Sequence, residues 1–484
     1  METIKTLRVT SFLTLFPAVM TCTNCGFTLA EEGNDLHSRL SKLDAIIASL
    51  TAERQRLQAE SDAIVYPILS LPTEITTEIF RRWCVLRSRS RPYPSEGPLL
   101  LAQICHQWRQ IALHTPELWR DLHFTDRSSV ELFKLWLDRS RDLSLNLAFD
   151  SWDIALTGRF IEASMVHSHR WQVVELNLPI VFYTTLDLSN VSLPILHSIS
   201  LKNYFSGERT VGAGTVLNAP LLREAHIHTF PDLKVDFLRP KLTSLTLQHA
   251  IDLTKCIILL RGCPDLVKLA LSTSGQGPVQ TDSLVLPALE SLECDLTAAS
   301  ILEHLTLPRL QRLRVTETET DVPQHTVLQN FIRRSACPLG FLSIENPGTT
   351  DTLTSCLIAV SDSVSDLEVT RGRPGHLLAA LKLVEVLPRL KILRAQFQGN
   401  ILSDTDYQDF IDTVRMRLSP TPPRVALEGF TLHTFQYGNR RMPSAAILVQ
   451  FRELAAIGLK IKFTTRMDQR SSSITRVVLD SWTE

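Results

Sequence analysis

The sequence predicts an α/β protein in which strand-and-return units stack and share one long parallel sheet. A short apolar motif, LxxLxL, recurs along most of the chain. It reads LHSISL from Leu196, LREAHI from Leu222, LTSLTL from Leu242 and LVKLAL from Leu266. It continues as LESLEC from Leu289, LQRLRV from Leu310, LGFLSI from Leu339, VSDLEV from Val364 and LKILRA from Leu390, with an earlier VVELNL from Val173. From Leu196 onward the starts lie 26, 20, 24, 23, 21, 29, 25 and 26 residues apart. Most copies carry Pro two residues before the first Leu: Pro194, Pro220, Pro240, Pro264, Pro287, Pro308 and Pro388.

Each element follows from its pattern. Within xLxL, alternate side chains point to opposite faces, so the Leu set faces the core and the residues between face out. The segments DLTKCIILLRGC, HTVLQNFIRRSA, GHLLAALKLVEV and DYQDFIDTVRMRL carry helical spacing and predict helical returns. RDLHF around Leu122 and LSLNLAF around Leu145 read as strands flanking the helical SSVELFKLWLDRS, so the array begins near residue 120. PSAAILVQFRELAAIGLKIKF adds one more helix and strand, and the polar stretch after Thr464 either caps the array or stays loose. The period resembles that of leucine-rich repeats. The Asn or Cys of that pattern is replaced by Ser274, Thr297 and Thr318 in three copies, so repeat shape should vary.

Upstream, residues Ile68 to Trp119 read as three short helices. Pro72 suits a first helical position, Glu74 favours the positive end of the helix dipole, and Ile75 and Ile79 fall four apart with Phe80 beside them. Leu101, Ile104, Cys105, Trp108, Ile111 and Ala112 give the spacing of one amphipathic helix. Thr115 as N-cap and Pro116 then start a short helix through Trp119. An Arg-, Ser- and Pro-rich stretch, Leu86 to Pro98, separates the halves and reads as an exposed loop. Leu71-Pro72-x-Glu74-Ile75, Ile79-Phe80, Ile104-Cys105-x-x-Trp108-Arg109 and Thr115-Pro116-x-Leu118-Trp119 together resemble an F-box of the form common in mushroom-forming fungi. The long insert departs from that pattern.

Between Asn34 and Asp62 the periodicity is heptad. Leu36, Leu40, Leu43, Ile47, Leu50 and Leu57 form a seam interrupted by Arg54, with Asn34 and Asp35 available to cap its start. The seam either dimerises the protein or packs one helix back on its own chain. The expected organisation is a tail over 1–33, a heptad helix over 34–62, an F-box-like domain over 63–119, repeats over 120–464 and a tail over 465–484.

Composition narrows the function. The 484 residues carry a formal net charge of -1, which calls for neither nucleic acid nor a charged membrane. Nine cysteines sit mostly in apolar segments, Cys105, Cys256 and Cys294 among them, as reduced thiols of a cytoplasmic or nuclear protein do. Leu7 to Met20 is apolar behind Lys5 and Arg8, but Pro17 breaks it and it is too short to span a bilayer. Cys22 and Cys25 make half a zinc knuckle without its second pair, so a tail is the favoured reading. Gly212 and Gly214 in VGAGTV lack the third glycine of a phosphate loop. His226, His228 and His249 read as polar face residues rather than ligands, and Arg87, Arg89 and Arg91 as a solvated loop. No catalytic constellation stands out, and no cofactor or metal is expected.

The resemblance implies a non-catalytic substrate receptor. Leu71, Pro72, Ile75, Ile79, Phe80, Ile104 and Trp108 would dock a Skp-type adaptor and, through it, a cullin. The repeats would present an inner face to a protein substrate. On that face the residue between the last two Leu positions should point outward: Ser200, His226, Thr246, Ala270, Glu293, Arg314, Ser343, Glu368 and Arg394. Lys268, Arg312 and Asp366 lie two residues earlier, and Glu293 and Arg314 should be neighbours across strands. A repeat scaffold whose helices only cap the array is the alternative.

Overall fold

The computed structural model describes residues 29–62, 67–88, 97–179, 191–202, 215–228, 235–237, 241–248, 253–272, 283–295, 299–316, 324–398, 402–418, 424–437, 443–469 and 472–480. The chain forms two compact units, Met1–Thr76 and Thr77–Glu484. Among the described residues no helix is long and apolar enough to cross a membrane.

The first unit is dominated by α1 (Leu29–Asp62), one continuous helix of 34 residues. It starts upstream of the expected boundary, so Asn34 and Asp35 lie inside it and do not cap it. The run Leu29-Ala30-Glu31-Glu32 explains the extension: these are good helix formers, and acidic residues suit the first turn. Residues 29–33 are therefore helix and not tail. Leu7 to Met20, Cys22 and Cys25 lie outside the described residues. A 3-10 turn, Pro67–Ser70, leads to α2 (Thr73–Ser88), whose first bond runs from the Thr76 N–H to the Pro72 carbonyl at 3.1 Å.

In the second unit, the continuation of α2 packs with α3 (Pro98–Ile104), α4 (His106–His114) and the 3-10 turn Pro116–Trp119. Phe80, Leu101, Ile111, Ala112, Leu118 and Trp119 form their shared core. The expected single helix through Leu101 and Ala112 is two helices. Cys105 breaks it with an extended backbone (φ -153°, ψ 170°), and its Sγ accepts the Trp108 N–H at 3.4 Å, capping α4. Arg109 bridges the break by donating to the Ala102 carbonyl at 2.7 Å. Thr115 does not cap the following turn with its side chain; its hydroxyl donates back to the Ile111 carbonyl at 2.7 Å. The Leu86 to Pro98 loop is also shorter than expected, because α2 runs to Ser88 and Pro98 opens α3. Arg89 and Arg91 lie outside the described residues.

Trp119 joins this helical core to the sheet. Its indole is fully buried, donates to the Ala112 carbonyl at 2.8 Å, and meets Trp136 edge-on at 5.2 Å. Trp136 packs against both cores and lies on α5 (Val130–Arg139), the first return of the sheet.

Among the described residues the sheet holds fifteen strands in chain order. They are β1 (Asp121–Thr125), β2 (Leu145–Asp150), β3 (Trp171–Asn177), β4 (Ser198–Lys202) and β5 (Glu224–His228). Next come β6 (Ser244–Gln248), β7 (Lys268–Ser272), β8 (Ser291–Asp295), β9 (Arg312–Thr316) and β10 (Phe341–Glu345). Last are β11 (Asp366–Thr370), β12 (Ile392–Gln398), β13 (Gly429–Tyr437), β14 (Lys460–Gln469) and β15 (Ser472–Asp480). The first fourteen are parallel, an arrangement compatible with a solenoid; β15 alone turns back antiparallel on β14. Of the two readings of the stretch after Thr464, the cap is the one seen: its described residues lie in β14 and β15. A closing antiparallel strand covers an edge that would otherwise offer unpaired backbone groups.

Two rows of side chains run across the sheet into the core. Leu245, Leu269, Leu292, Leu313, Leu342, Leu367, Leu393, Phe430 and Ile461 are successive partners, and all are buried. Leu247, Leu271, Cys294, Val315, Ile344, Val369, Ala395, Leu432 and Phe463 form the second row. The Val173 copy is out of phase with expectation by two residues: Val174 and Leu176 pair with Ile199 and Leu201. Two-residue alternation fits VEL and LNL equally, so only strand pairing decides between them.

Returns complete the core. They include α6 (Ile154–Met165), α7 (Leu253–Arg261), α8 (Ala299–His304), α9 (Gln324–Ser335), α10 (Thr350–Ala359), α11 (Pro374–Lys382), α12 (Asp404–Leu418) and α13 (Ala445–Ala456). Thr215–Leu217 and Val235–Phe237 are extended instead and pair with each other. Aromatic rings fill both ends of the core: Phe124, Phe133, Phe149 and Phe160 at one, Phe397, Phe410, Phe430, Phe451 and Phe463 at the other.

Arginines satisfy the carbonyls where returns end. Arg170 donates to the Leu143 carbonyl at 2.8 Å, just after α5. Arg334 donates to the carbonyls of Leu302 and Leu305, at the end of α8. Arg417, buried, reaches the carbonyls of Leu381 (2.7 Å), Val386 (2.9 Å) and Leu387 (3.0 Å) after α11. Burial, with the nearby charge of Arg424, pulls Arg417 down to about 10, so it stays charged at neutral pH. A cation suits the negative end of a helix. Arg417→Leu removes its donors from all three, leaving Leu387 only the Leu390 N–H at 3.2 Å, and should destabilise the protein by about 2–3 kcal/mol, read as a lowered urea midpoint.

Candidate functional site

The outward face of the sheet carries its chemistry in two ranks. Strand register aligns Ser200, His226, Thr246, Ala270, Glu293, Arg314, Ser343, Glu368 and Arg394 as successive partners, the expected outward set. Two residues earlier, Lys268, Ser291, Arg312, Phe341 and Asp366 form a second rank.

Arg314 is the centre of the first rank. Its guanidinium lies 3.9 Å from Glu293 on the neighbouring strand and 3.0 Å from Glu368 two strands away. Glu368 also accepts the Ser343 hydroxyl at 2.8 Å. Arg314 therefore arches over Ser343, which explains why this outward residue is only 1% exposed. A serine at that position leaves room for the arch.

Phe341 organises the second rank. The Arg312 guanidinium lies 4.3 Å above its ring, and that of Arg394 lies 6.0 Å away. Arg394 is hydrogen-bonded to Asp366. The patch thus brings Glu293, Arg314 and Glu368 together, and Asp366 with Arg394. Lys268 sits two strands from Arg312, and among the described residues neither has a carboxylate partner. Sequence reasoning passed over Phe341, although LGFLSI sets an aromatic at an outward position of the motif. One rank further, Ser272 donates to Asp295 at 2.6 Å, and Arg371 bridges Glu345 at 2.8 Å.

Further candidate residues lie on the helices before the sheet, some in each unit. In the first unit Leu71 is half-buried, Pro72 is exposed, and Ile75 is 50% exposed. In the second unit Ile79 is 42% and Ile104 56% exposed, with Leu100 also at the surface. Phe80, expected among the docking residues, is 1% exposed and belongs to the core. Trp108 is half-buried and meets Phe80 edge-on at 4.9 Å. Both rings belong to the helical core of the second unit, Trp108 packing against it from the side. Arg81 and Glu117, 2.6 Å apart, tie α2 to the Pro116–Trp119 turn.

Other motifs resolve into simpler roles. His226 and His228 take outward strand positions, while His249, Gly212 and Gly214 lie outside the described residues. Among the described residues no group of three His, Cys, Asp or Glu could hold a metal. Burial pushes the Cys84 and Cys263 thiols up to about 11 and Cys294 to about 12, which keeps them protonated and unreactive at neutral pH.

The two ion pairs of Arg314 should differ in strength. The Glu368 carboxylate is closer, less exposed and already held by Ser343, whereas Glu293 is more than half exposed. Double-mutant cycles by chemical denaturation should give about 1 kcal/mol for Arg314 with Glu368 and under about 0.3 kcal/mol for Arg314 with Glu293. No protein-family model matches this chain, and no curated protein matches it.

Proposed function

We propose that this protein is the substrate-recognition subunit of a Skp-cullin-F-box type ubiquitin ligase. In this reading residues 63–119 are the F-box and the sheet with its returns is a leucine-rich-repeat domain. The F-box docks a Skp-type adaptor, and the outward sheet face binds a protein substrate in the cytoplasm or nucleus. Catalysis belongs to other subunits. The observation that carries the reading is the separation of two kinds of surface. Isoleucines at the LPxEI…IF and ICxxWR positions stay exposed, as an apolar docking contact needs. The sheet face instead offers ranked charges around Phe341, suited to selecting a partner by charge complementarity.

A second reading has its own support. The contact of buried Trp119 with partly buried Trp136 joins the helical core to the first return, as a capping unit of a repeat scaffold does. Adaptor binding separates the two.

Leu71→Ala with Pro72→Ala should reduce capture of a Skp-type adaptor about tenfold or more in pull-down. Unchanged capture favours the scaffold. Arg312→Glu with Arg314→Glu should leave adaptor capture intact and shrink the set of proteins co-purified under proteasome inhibition. An unchanged set moves substrate binding away from the sheet face.

A further inference from the structure

We propose that α1 joins a second copy of this chain in a parallel two-stranded coiled coil; this stands independently of the ligase reading. The helix carries a long apolar seam that it does not bury. Every residue from Leu36 to Glu60 is exposed, and Leu50 reaches 64%. An exposed apolar stripe of this length marks an interaction surface.

The seam is self-complementary. Leu36, Leu43, Leu50 and Leu57 take every d position, and Leu40 and Ile47 take a positions. Ile47, β-branched at a between leucines at d, favours two parallel strands; Leu40 adds apolar area without that preference. The next a position is Arg54, and a single polar residue there sets register and oligomer state at some cost in stability.

Charge placement agrees. A parallel pair sets Arg39 at g against Asp44 at e of the second copy, and Glu53 against the neutral Gln58. No like charges meet between g and e. Each Arg54 reaches Glu53 of the second copy, which flanks its own a position. All of Arg39, Asp44, Glu53 and Arg54 are exposed on the single helix, so no rearrangement is needed to pair them.

Orientation follows from the count of apolar layers. In parallel, Leu36, Leu40, Leu43, Ile47, Leu50 and Leu57 each face themselves, leaving six apolar layers and one arginine layer. An antiparallel pair sets a against d, so Arg54 meets a leucine twice. Its best registers keep four apolar layers, for example Leu40 against Leu57 and Ile47 against Leu50, each twice.

The test uses the full chain. Light scattering should give twice 54.5 kDa at micromolar concentration, and Leu43→Asp with Leu50→Asp should give 54.5 kDa with the urea unfolding of the rest unchanged. A monomeric or trimeric unsubstituted chain overturns the proposal, as does a dimer that survives the double substitution. Orientation is read by oxidation of Leu57→Cys in a Cys22→Ser, Cys25→Ser background. A parallel pair gives a covalent dimer. Cross-linking only when Leu40→Cys and Leu57→Cys chains are mixed overturns it. Glu53→Arg or Arg54→Glu alone should weaken dimerisation about tenfold, and the two together should restore it. Failure of the swap to restore it overturns the assigned pairing.

Discussion

A single strand with its return cannot bury its apolar row, because that row has no facing layer until a neighbour stacks beside it. Everything after Trp119 depends on this constraint. The rows from Leu245 to Ile461 and from Leu247 to Phe463 satisfy it by repetition, each side chain resting on its partner one strand away. Repetition leaves two ends exposed, and the chain closes them differently. At the start, Trp119 and Trp136 fasten a helical core to the first return. At the finish, β15 reverses direction on β14. Phenylalanines gather near both ends, where larger rings fill the space that leucines fill between.

The stacked returns create a polar problem that the arginines answer. Each helix leaves carbonyls without partners at its C-terminus, and in a packed array water does not reach them. Arg170, Arg334 and Arg417 come from a following segment and donate to the end of an earlier return. Adjacent units are thereby linked by charge-assisted hydrogen bonds as well as by apolar contact. Arg170 and Arg417 do this from buried positions, Arg334 from an exposed one.

On the outward face, strand spacing decides what can interact. Side chains at one register position sit about 4.8 Å apart on adjacent strands. A long arginine therefore reaches two strands away when the residue between is small, as Arg314 does over Ser343. Phe341 makes the complementary choice, filling its own position and stacking Arg312 on its ring. The result is a patch with fixed internal pairing, Arg312 stacked within it and Lys268 at its edge. On the helical segment, by contrast, Ile79 and Ile104 stay exposed while Phe80 is buried and meets Trp108 edge-on.

Local pattern was enough for much of this. The alternation within LxxLxL determined which residues face the core, and its recurrence determined that strands stack in chain order. The heptad determined the long helix, and the helical spacing of apolar residues determined most returns. What the tertiary structure decided is whatever depends on residues distant in sequence. The phase of the Val173 copy was set by pairing with β4, because alternation alone fits two phases. The break at Cys105 followed from folding α4 back on α3, which a continuous amphipathic pattern conceals. Phe80 and the exposed Ile79 share one apolar stretch, and only packing against Trp108 separates core from surface. Glu293 and Arg314 were legible as neighbours because they occupy matching motif positions, while the closer pair, Arg314 and Glu368, lies two strands apart. Sequence carries the period of the chain; which side chains meet across it depends on side-chain reach and on the size of what lies between.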